Sequence, residues 1–250
     1  MRSIWFSTLA TLMIATGTFA ADEPTQQPNT LSASERADGW KLLFDGSSLR
    51  GWHSYLQSAP AKDWKVQDGA ILMEKNRGGD EKDFEDLVTD GEYADFDLKL
   101  DWKMSPCADS GVMFHVHESP KYHETYETGA EMQIADLACT KPDSRVLYER
   151  SGDLFDLISS DVEWVNEAGQ WNQFEIISKR GHLQFFQNGH KVVETQIGDD
   201  AWKKLVSHTK FKQWPGFAAY GKGHISLQGN EDKGEAPIRL WFRNIRIKTL

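Results

Sequence analysis

Over residues 96–104 the apolar side chains Phe96, Leu98, Leu100, Trp102 and Met104 alternate with the charged Asp97, Lys99, Asp101 and Lys103 without an exception. Successive side chains leave a β-strand on opposite sides, so this period of two predicts a strand with one face in a core and the other in water. Wound as a helix, the same residues would put charge on every side. Shorter runs of the same kind predict further strands at 40–44, 64–67, 70–73, 111–117, 131–135, 152–157, 172–178, 182–187, 190–196, 224–228 and 238–248. Asp68-Gly69 and Asn188-Gly189 sit between consecutive runs and supply the positive φ angles of two-residue hairpin turns. One helix is predicted over 201–208, where Asp199 or Asp200 can cap it and Trp202, Leu205 and Val206 fall at helical spacing. About a dozen strands, one peripheral helix and no β-α-β rhythm imply an all-β chain, a β-sandwich of the jelly-roll type forming one domain over residues 38–250.

The ends differ from this middle. Residues 1–20 carry a single charge, Arg2, then an apolar run through Ile4, Trp5, Phe6, Leu9, Leu12, Met13 and Ile14, and finish on Thr18-Phe19-Ala20. That is the pattern of a signal peptide cleaved after Ala20, and it predicts export to the periplasm or beyond. The run falls short of the ~20 apolar residues of a membrane span, so no transmembrane segment is expected in the mature chain. Residues 21–37, with Pro24, Gln26, Gln27, Pro28 and Asn29, offer little to bury and read as a disordered tether. Cys107 and Cys139 are the two cysteines. In an oxidising compartment they are either joined or separately buried, and their spacing is not that of a zinc pair. With 28 Lys and Arg against 38 Asp and Glu, the formal charge is −10, which argues against nucleic acid as a partner. Aromatic residues make up 12% of the chain, including ten Trp, and serve either a Trp-rich core or the flat faces of sugar rings.

Five segments stand in a telling order: Trp40-Lys41-Leu42-Leu43-Phe44-Asp45-Gly46, Leu49-Arg50-Gly51-Trp52, Asp109-Ser110-Gly111-Val112, Glu131-Met132-Gln133-Ile134, and Trp241-Phe242-Arg243-Asn244-Ile245. None is specific alone, but in this order and at about these separations the chain resembles the 3-keto-disaccharide hydrolase domain family from Trp40 to Leu250. The resemblance implies a concanavalin A-like jelly roll, export from a bacterium, and hydrolysis of 3-keto-glycosides. A ketone at C3 acidifies the hydrogen on C2, so a base can remove it, the enolate can expel the C1 substituent, and water can add back. Such a site needs a base, donors for the enolate oxygen, and an acid near the leaving oxygen. It does not need the matched carboxylates of an ordinary glycosidase.

On a regular strand Glu131 and Gln133 share one face while Met132 and Ile134 go to the core, so an acid and an amide point together out of the sheet. Asp136 joins them only if a bulge intervenes. The spacing is similar to the acidic strand motif of jelly-roll glucanases, with Gln133 where a helper carboxylate would stand; the plainer alternative is a solvent-facing strand. Met113, His115 and His117 share a face on the neighbouring run, two imidazoles ~7 Å apart, suited to acid-base work, to a metal, or to ordinary hydrogen bonding. Family members more often carry Arg or a polar residue at His115. His117 with Glu118, His123 and Glu124 is a candidate divalent-metal set; no other cofactor is expected.

Asp109 stands where the family more often has Asn, and serves either the turn or the substrate. Arg243, with Trp241 and Ile245 on its own face of the last strand, must pair with a carboxylate such as Glu131 or hold a sugar hydroxyl. The family's His-Gly after Gln228 is replaced by Gly229-Asn230, so a role for that histidine does not carry over. Trp52, Trp64, Trp164, Trp214 and Tyr126 are candidates for ring stacking or for plugging the sandwich ends. Residues 78–83 read as a solvated loop rather than a phosphate cradle.

The resulting expectation is an exported enzyme cleaving a 3-keto-glycoside, with Glu131 as base or acid, His115 second, and Gln133, Asp109 and Arg243 orienting. Trp52, His117 and Asp136 are expected against a carbohydrate substrate. A carbohydrate-binding module without catalysis, and a conventional endoglucanase with two carboxylates across a cleft, are the alternatives.

Overall fold

The computed structural model describes residues 27–75, 86–139, 146–160, 164–229 and 237–250. The signal-peptide reading of residues 1–20, the first part of the tether reading, and the loop at 78–83 lie outside the described residues. Two antiparallel sheets face one another. The larger, eight-stranded, runs β11 (His190–Gln196), β10 (His182–Gln187), β9 (Asn172–Lys179), β6 (Phe96–Met104), β13 (Ile238–Thr249), β4 (Ala70–Lys75) and β3 (Trp64–Gln67), with β1 (Lys41–Leu42) also on β13. The smaller, five-stranded, runs β2 (Trp52–Ser54), β5 (Leu87–Thr89), β12 (His224–Leu227), β7 (Asp109–Val116) and β8 (Ala130–Ala135). This is an all-β jelly-roll sandwich, as the alternation predicts.

The core lies between the inner faces. Phe96, Leu98 and Trp102 of β6 and Leu240 and Phe242 of β13 meet Val112 and Phe114 of β7, Met132 and Ile134 of β8, and Ile225 and Leu227 of β12, all almost wholly withdrawn from water. Each such side chain contributes roughly 1.5–3 kcal/mol of burial. Hairpin turns form at both predicted sites, with positive φ at Asp68, Gly69, Asn188 and Gly189. The predicted helix is present as α2 (Asp200–Ser207), its first turn capped where the Asp199 carboxylate accepts from the Trp202 amide at 2.7 Å.

Three expectations are corrected. Residues 152–157 are not a strand: Gly152 and Asp156 adopt left-handed φ angles of 90° and 54° that break an extended run, and only Leu154 makes isolated bridges. The described part of the tether is ordered rather than disordered. Ser32 and Glu35 form a reciprocal cap on α1 (Ala33–Ala37), and just before it Asn29 is buried in a groove of the larger sheet. Arg243 pairs with a carboxylate, as one of its two expected roles had it, but the carboxylate is that of Asp101 and not of Glu131, and Arg243 does not line the cavity that holds Glu131. A bulge at Asn244, φ 54°, shifts the β13–β6 register and turns Ile245 inward. Arg243 stays on the outer face of the larger sheet, with Nε 3.3 Å from Asp101 and its guanidinium 3.9 Å above Trp171. Cys107 and Cys139 are joined in a disulfide. No helix among the described residues is long and apolar enough to cross a membrane.

Asn29 clasps the Asn244 bulge with both ends. Its amide N–H donates to Asn244 Oδ1 at 2.6 Å, its Oδ1 accepts from the Asn244 amide at 2.8 Å, and its Nδ2 donates to the Gly69 carbonyl at 2.7 Å. Replacing Asn29 by Ala leaves two partly buried backbone groups without these partners, and is expected to cost about 2 kcal/mol. The midpoint of urea unfolding reads it; a loss below about 0.5 kcal/mol would mean that the segment contributes nothing to the sandwich.

Candidate active site

The register of β7 against β8 pairs Met113 with Glu131 and Gly111 with Gln133, while Val112, Met132 and Ile134 fill the interior. Period-two geometry therefore sends Asp109, Met113, Glu131 and Gln133 to the outer face of the smaller sheet. There Asp109, Glu131 and Gln133 floor a solvent-open cavity of about 210 Å³, joined by Gln228 just beyond β12. Glu131 and Gln133 are 6% and 2% exposed, so an acid and an amide sit at the bottom of a recess rather than on a free surface. Gln133 Nε2 donates to Asp109 Oδ1 at 2.6 Å. Of the two readings of Asp109, the turn is corrected: Asp109, Ser110 and Gly111 are the first residues of β7.

Gly111 explains how the acid is held. A Cβ built on it would lie 1.8 Å from Glu131 Oε1 and 2.6 Å from Glu131 Cδ, so the carboxylate lies across the bare backbone of residue 111. Any side chain here would push it aside.

The walls come from loops. After α2, a 3₁₀ turn at Lys210–Gln213 begins where Thr209 caps the Phe211 amide, and it presents Phe211 and Trp214. Trp214 packs 5.2 Å from Tyr126, and Phe211 stacks on Phe217 at 3.9 Å. Phe155 completes the apolar side, with the Lys210 ammonium 4.2 Å above its ring. Lys210 escaped the sequence reading. Its only signal was a cation inside the aromatic run Lys210-Phe211-Lys212-Gln213-Trp214.

The remaining candidates lie elsewhere. His115 adopts φ 55° at a bulge between β7 and β12, which undoes the face it was to share with Met113. Its Nε2 bonds the Ala94 carbonyl at 2.8 Å, its ring packs against Phe96 and Phe114, and burial holds its pKa below the ordinary imidazole value. His117 stacks on Tyr220 at 4.0 Å. Asp136 closes the turn of the disulfide, accepting from the Cys107 and Ala138 amides. Trp52 is a core residue, 3% exposed, with Nε1 donating to the Leu43 carbonyl. Trp64 is likewise buried, and Trp164 stacks on His190. Among the stacking candidates, Tyr126 and Trp214 reach the cavity. His117, Glu118, His123 and Glu124 do not converge. Among the described residues the one cluster spaced for a cation is Cys107, Asp136 and Cys139, whose sulfurs are bonded to each other.

Glu118 instead belongs to a clamp at the other end of the same face. His53 on β2 bonds Asp90 through Nδ1 at 2.7 Å and Glu118 through Nε2 at 3.0 Å, and Glu118 also accepts from the Leu56 amide at 2.6 Å. His224 stands 4.0 Å from Glu118 and 3.8 Å from Glu92, which pairs with Lys222. Burial works to lower the pKa of His53, but its two carboxylates prevail and raise it. The clamp fastens the 117–128 segment, which carries Tyr126 over an apolar plug of Tyr55, Val88, Met113 and Val116 that separates clamp from cavity.

The sequence pattern of the 3-keto-alpha-glucoside-1,2-lyase-like domain family matches residues 39–248. The chain belongs to that family. A Bacteroides thetaiotaomicron protein named 3-keto-disaccharide hydrolase is 28% identical over 234 residues, 86% of this chain and 79% of that protein. The crystal structure of a candidate glycosyl hydrolase from Parabacteroides distasonis has a TM-score of 0.78 at 28% identity, covering 90% of this chain and all of that one. A second candidate glycosyl hydrolase from the same organism has a TM-score of 0.59 at 25% identity, covering 84% of this chain and 99% of that one. The five ordered segments that suggested the family thus fall inside a match to most of the chain, and the glycosyl hydrolase neighbours share its sandwich.

Two outcomes test the site of this family member. Gly111→Ala is expected to destabilise the protein by about 1–3 kcal/mol through the overlap with Glu131, and by much less in a Glu131→Ala background. Additive losses in that double-mutant cycle would disprove the contact. The raised pKa of His53 means that its ionic contribution is fully present below about pH 6.5 and is lost as pH rises through the folded-state value. Melting temperature is therefore expected to fall less from about pH 6 to pH 9 in His53→Gln than in the unaltered protein; parallel curves would mean that the clamp is not ionic.

Proposed function

We propose that the chain cleaves 3-keto-glycosides, with Glu131 removing the proton from C2. The electrons left on C2 form the enolate of the C3 ketone. As the carbonyl re-forms, the C1–O bond breaks, C1 and C2 become doubly bonded, and the leaving oxygen takes up a proton. Water then adds its hydroxyl to C1 and a proton to C2, so the net result is hydrolysis. The observation that carries this reading is the carboxylate of Glu131 laid over Gly111 at the floor of a recess, beside the neutral Gln133 and within a cavity also lined by Lys210. A base in such a recess is partly withdrawn from water, Gln228 is a donor suited to a developing enolate, and Lys210 is a cation suited to the leaving oxygen. Family membership supports the same chemistry: the name of the family specifies a 1,2-lyase, and that of the Bacteroides relative a hydrolase of 3-keto-disaccharides. His115 and Arg243 have no part in this mechanism, because neither lines the cavity.

One observation favours a second reading. Glu131 Oε1 occupies the space over Gly111, and the next position on that face of β7, Asp109, lies about 7 Å further along the strand. That is near the spacing of carboxylates in inverting glycosidases, which would act on unoxidised sugars.

Export is proposed as well. Its support is the charge, apolar run and small-residue ending of residues 1–20, together with the paired cysteines expected of an oxidising compartment.

The protein is expected to release the aglycone from an aryl 3-keto-glucoside but not from the unoxidised glucoside, and to leave deuterium at C2 of the product in heavy water. Glu131→Gln is expected to lower kcat at least about a hundredfold. Turnover measured with and without a chelator reads whether a divalent metal takes part. Activity within about threefold of the parent would remove Glu131 from the mechanism. Equal turnover of the unoxidised glucoside, abolished by Asp109→Asn, would establish the two-carboxylate reading instead. Binding of both without turnover would make the chain a carbohydrate-binding module.

A further inference from the structure

A second cavity, of about 440 Å³, adjoins the first. Lys210 lines both, and the consecutive residues Phe155 and Asp156 line one each. Its remaining walls include Tyr148, Leu157, Leu205 and His208, drawn from the 146–148 turn, the 154–158 turn and the end of α2. These segments are tied together. The Asp156 amide donates to the Tyr148 carbonyl at 2.8 Å, and Leu157 is anchored in the core. Tyr148 is a large aromatic left 41% exposed. His208 Nδ1 lies 2.7 Å from the Lys204 carbonyl, which can only accept, so the proton sits on Nδ1 and Nε2 of the neutral ring is left as an acceptor.

We propose that this second cavity is the subsite for the leaving group, and that it takes a hexopyranose. The inference rests on the proposed cleavage of 3-keto-glycosides and extends it by naming where the expelled unit sits. A pyranose has an apolar face of C–H groups and a rim of hydroxyls. The cavity matches both, with the Tyr148 ring and the Leu157 and Leu205 side chains for the face, and Asp156, His208 and Lys210 for the rim. The first cavity, at about 210 Å³, is the smaller of the two and holds the acid. A disaccharide with its oxidised ring over Glu131 would cross from one cavity to the other at Lys210, the residue they share. Lys210 is then placed at the bond that breaks, where an ammonium can assist departure of the glycosidic oxygen.

The test compares a 3-keto-α-glucosyl-glucose disaccharide with methyl 3-keto-α-glucoside, whose leaving group is too small to occupy the second cavity. Tyr148→Ala truncates an exposed side chain and spares the core. It is expected to lower the ratio of kcat/KM for the disaccharide to that for the methyl glycoside about tenfold, chiefly through KM of the disaccharide. His208→Ala is expected to lower the ratio in the same direction. An unchanged ratio in both variants would overturn the subsite. If the unaltered protein turns over neither substrate, the proposed function fails, and the subsite is judged by binding alone. Saturation-transfer NMR with free glucose is then expected to show transfer that Tyr148→Ala reduces at least severalfold, and equal transfer in the two proteins would overturn the inference.

Discussion

Burial of the inward positions of β7 and β8 against β6 and β13 decides what the cavity can contain. With Val112, Phe114, Met132 and Ile134 committed to the interior, the residues between them have one place to go, the outer face. A slip of one residue in β8 would bring Glu131 and Gln133 into the core and put Met132 and Ile134 in water. Phe96, Leu98 and Leu240 offer no charge to pair with a carboxylate, so such a slip would bury a charge among apolar side chains. The position of the acid is thus held by the hydrophobic packing behind it.

Gly111 translates that placement into an orientation. In antiparallel pairs the facing residues are close enough for side chains to lie across the neighbouring backbone, but only where the neighbour lacks a Cβ. Glu131 leans over residue 111 rather than over its own partner Met113, whose side chain belongs to the apolar plug. The same plug, closed by Tyr126 and fastened through Glu118 to His53, divides the outer face into an ionic end and a cavity end. The polar floor of the cavity therefore sits on strands, where position is stiff, while the aromatic walls sit on the 117–128 and 208–218 segments, where shape can vary without disturbing the floor.

The same physics decides how much of this was legible from the amino-acid order. Strict alternation, as at Phe96–Met104, survives in sequence because every inward position meets the core, and it revealed the sheets, both Gly-containing hairpins and the shared face of Glu131 and Gln133. Bulges leave no such mark. His115 and Asn244 take up positive φ without being glycine, and each reverses the face of the residues next along its strand. His115 thereby lost its place beside Met113, and Ile245 moved from the side of Arg243 into the core. β2 and β5 are three residues each, too short for a period to show. The order at 27–37 comes from Asn29 bonding to Asn244, more than two hundred residues away, a contact that local composition does not encode. Lys210 and the second cavity were invisible for a related reason: they arise where separate loops meet.

Asp109 has a consequence that an asparagine at this position would not have. A carboxylate only accepts, so the hydrogen bond at 2.6 Å obliges Gln133 to turn its Nε2 toward Asp109 and its carbonyl oxygen away from it. An asparagine could donate or accept and would leave that amide free to rotate. With Gln133 fixed, strands β7 and β8 carry the carboxylates of Asp109 and Glu131, whereas Gln228 and Lys210 bring donors from the end of β12 and from the turn after α2. Gln228 stands beside residue 111, its backbone amide donating to the Gly111 carbonyl at 3.0 Å, so its side chain enters the cavity next to the backbone on which the Glu131 carboxylate lies. The pairing of Asp109 with Gln133 thus fixes which way the amide faces in the cavity beside Glu131.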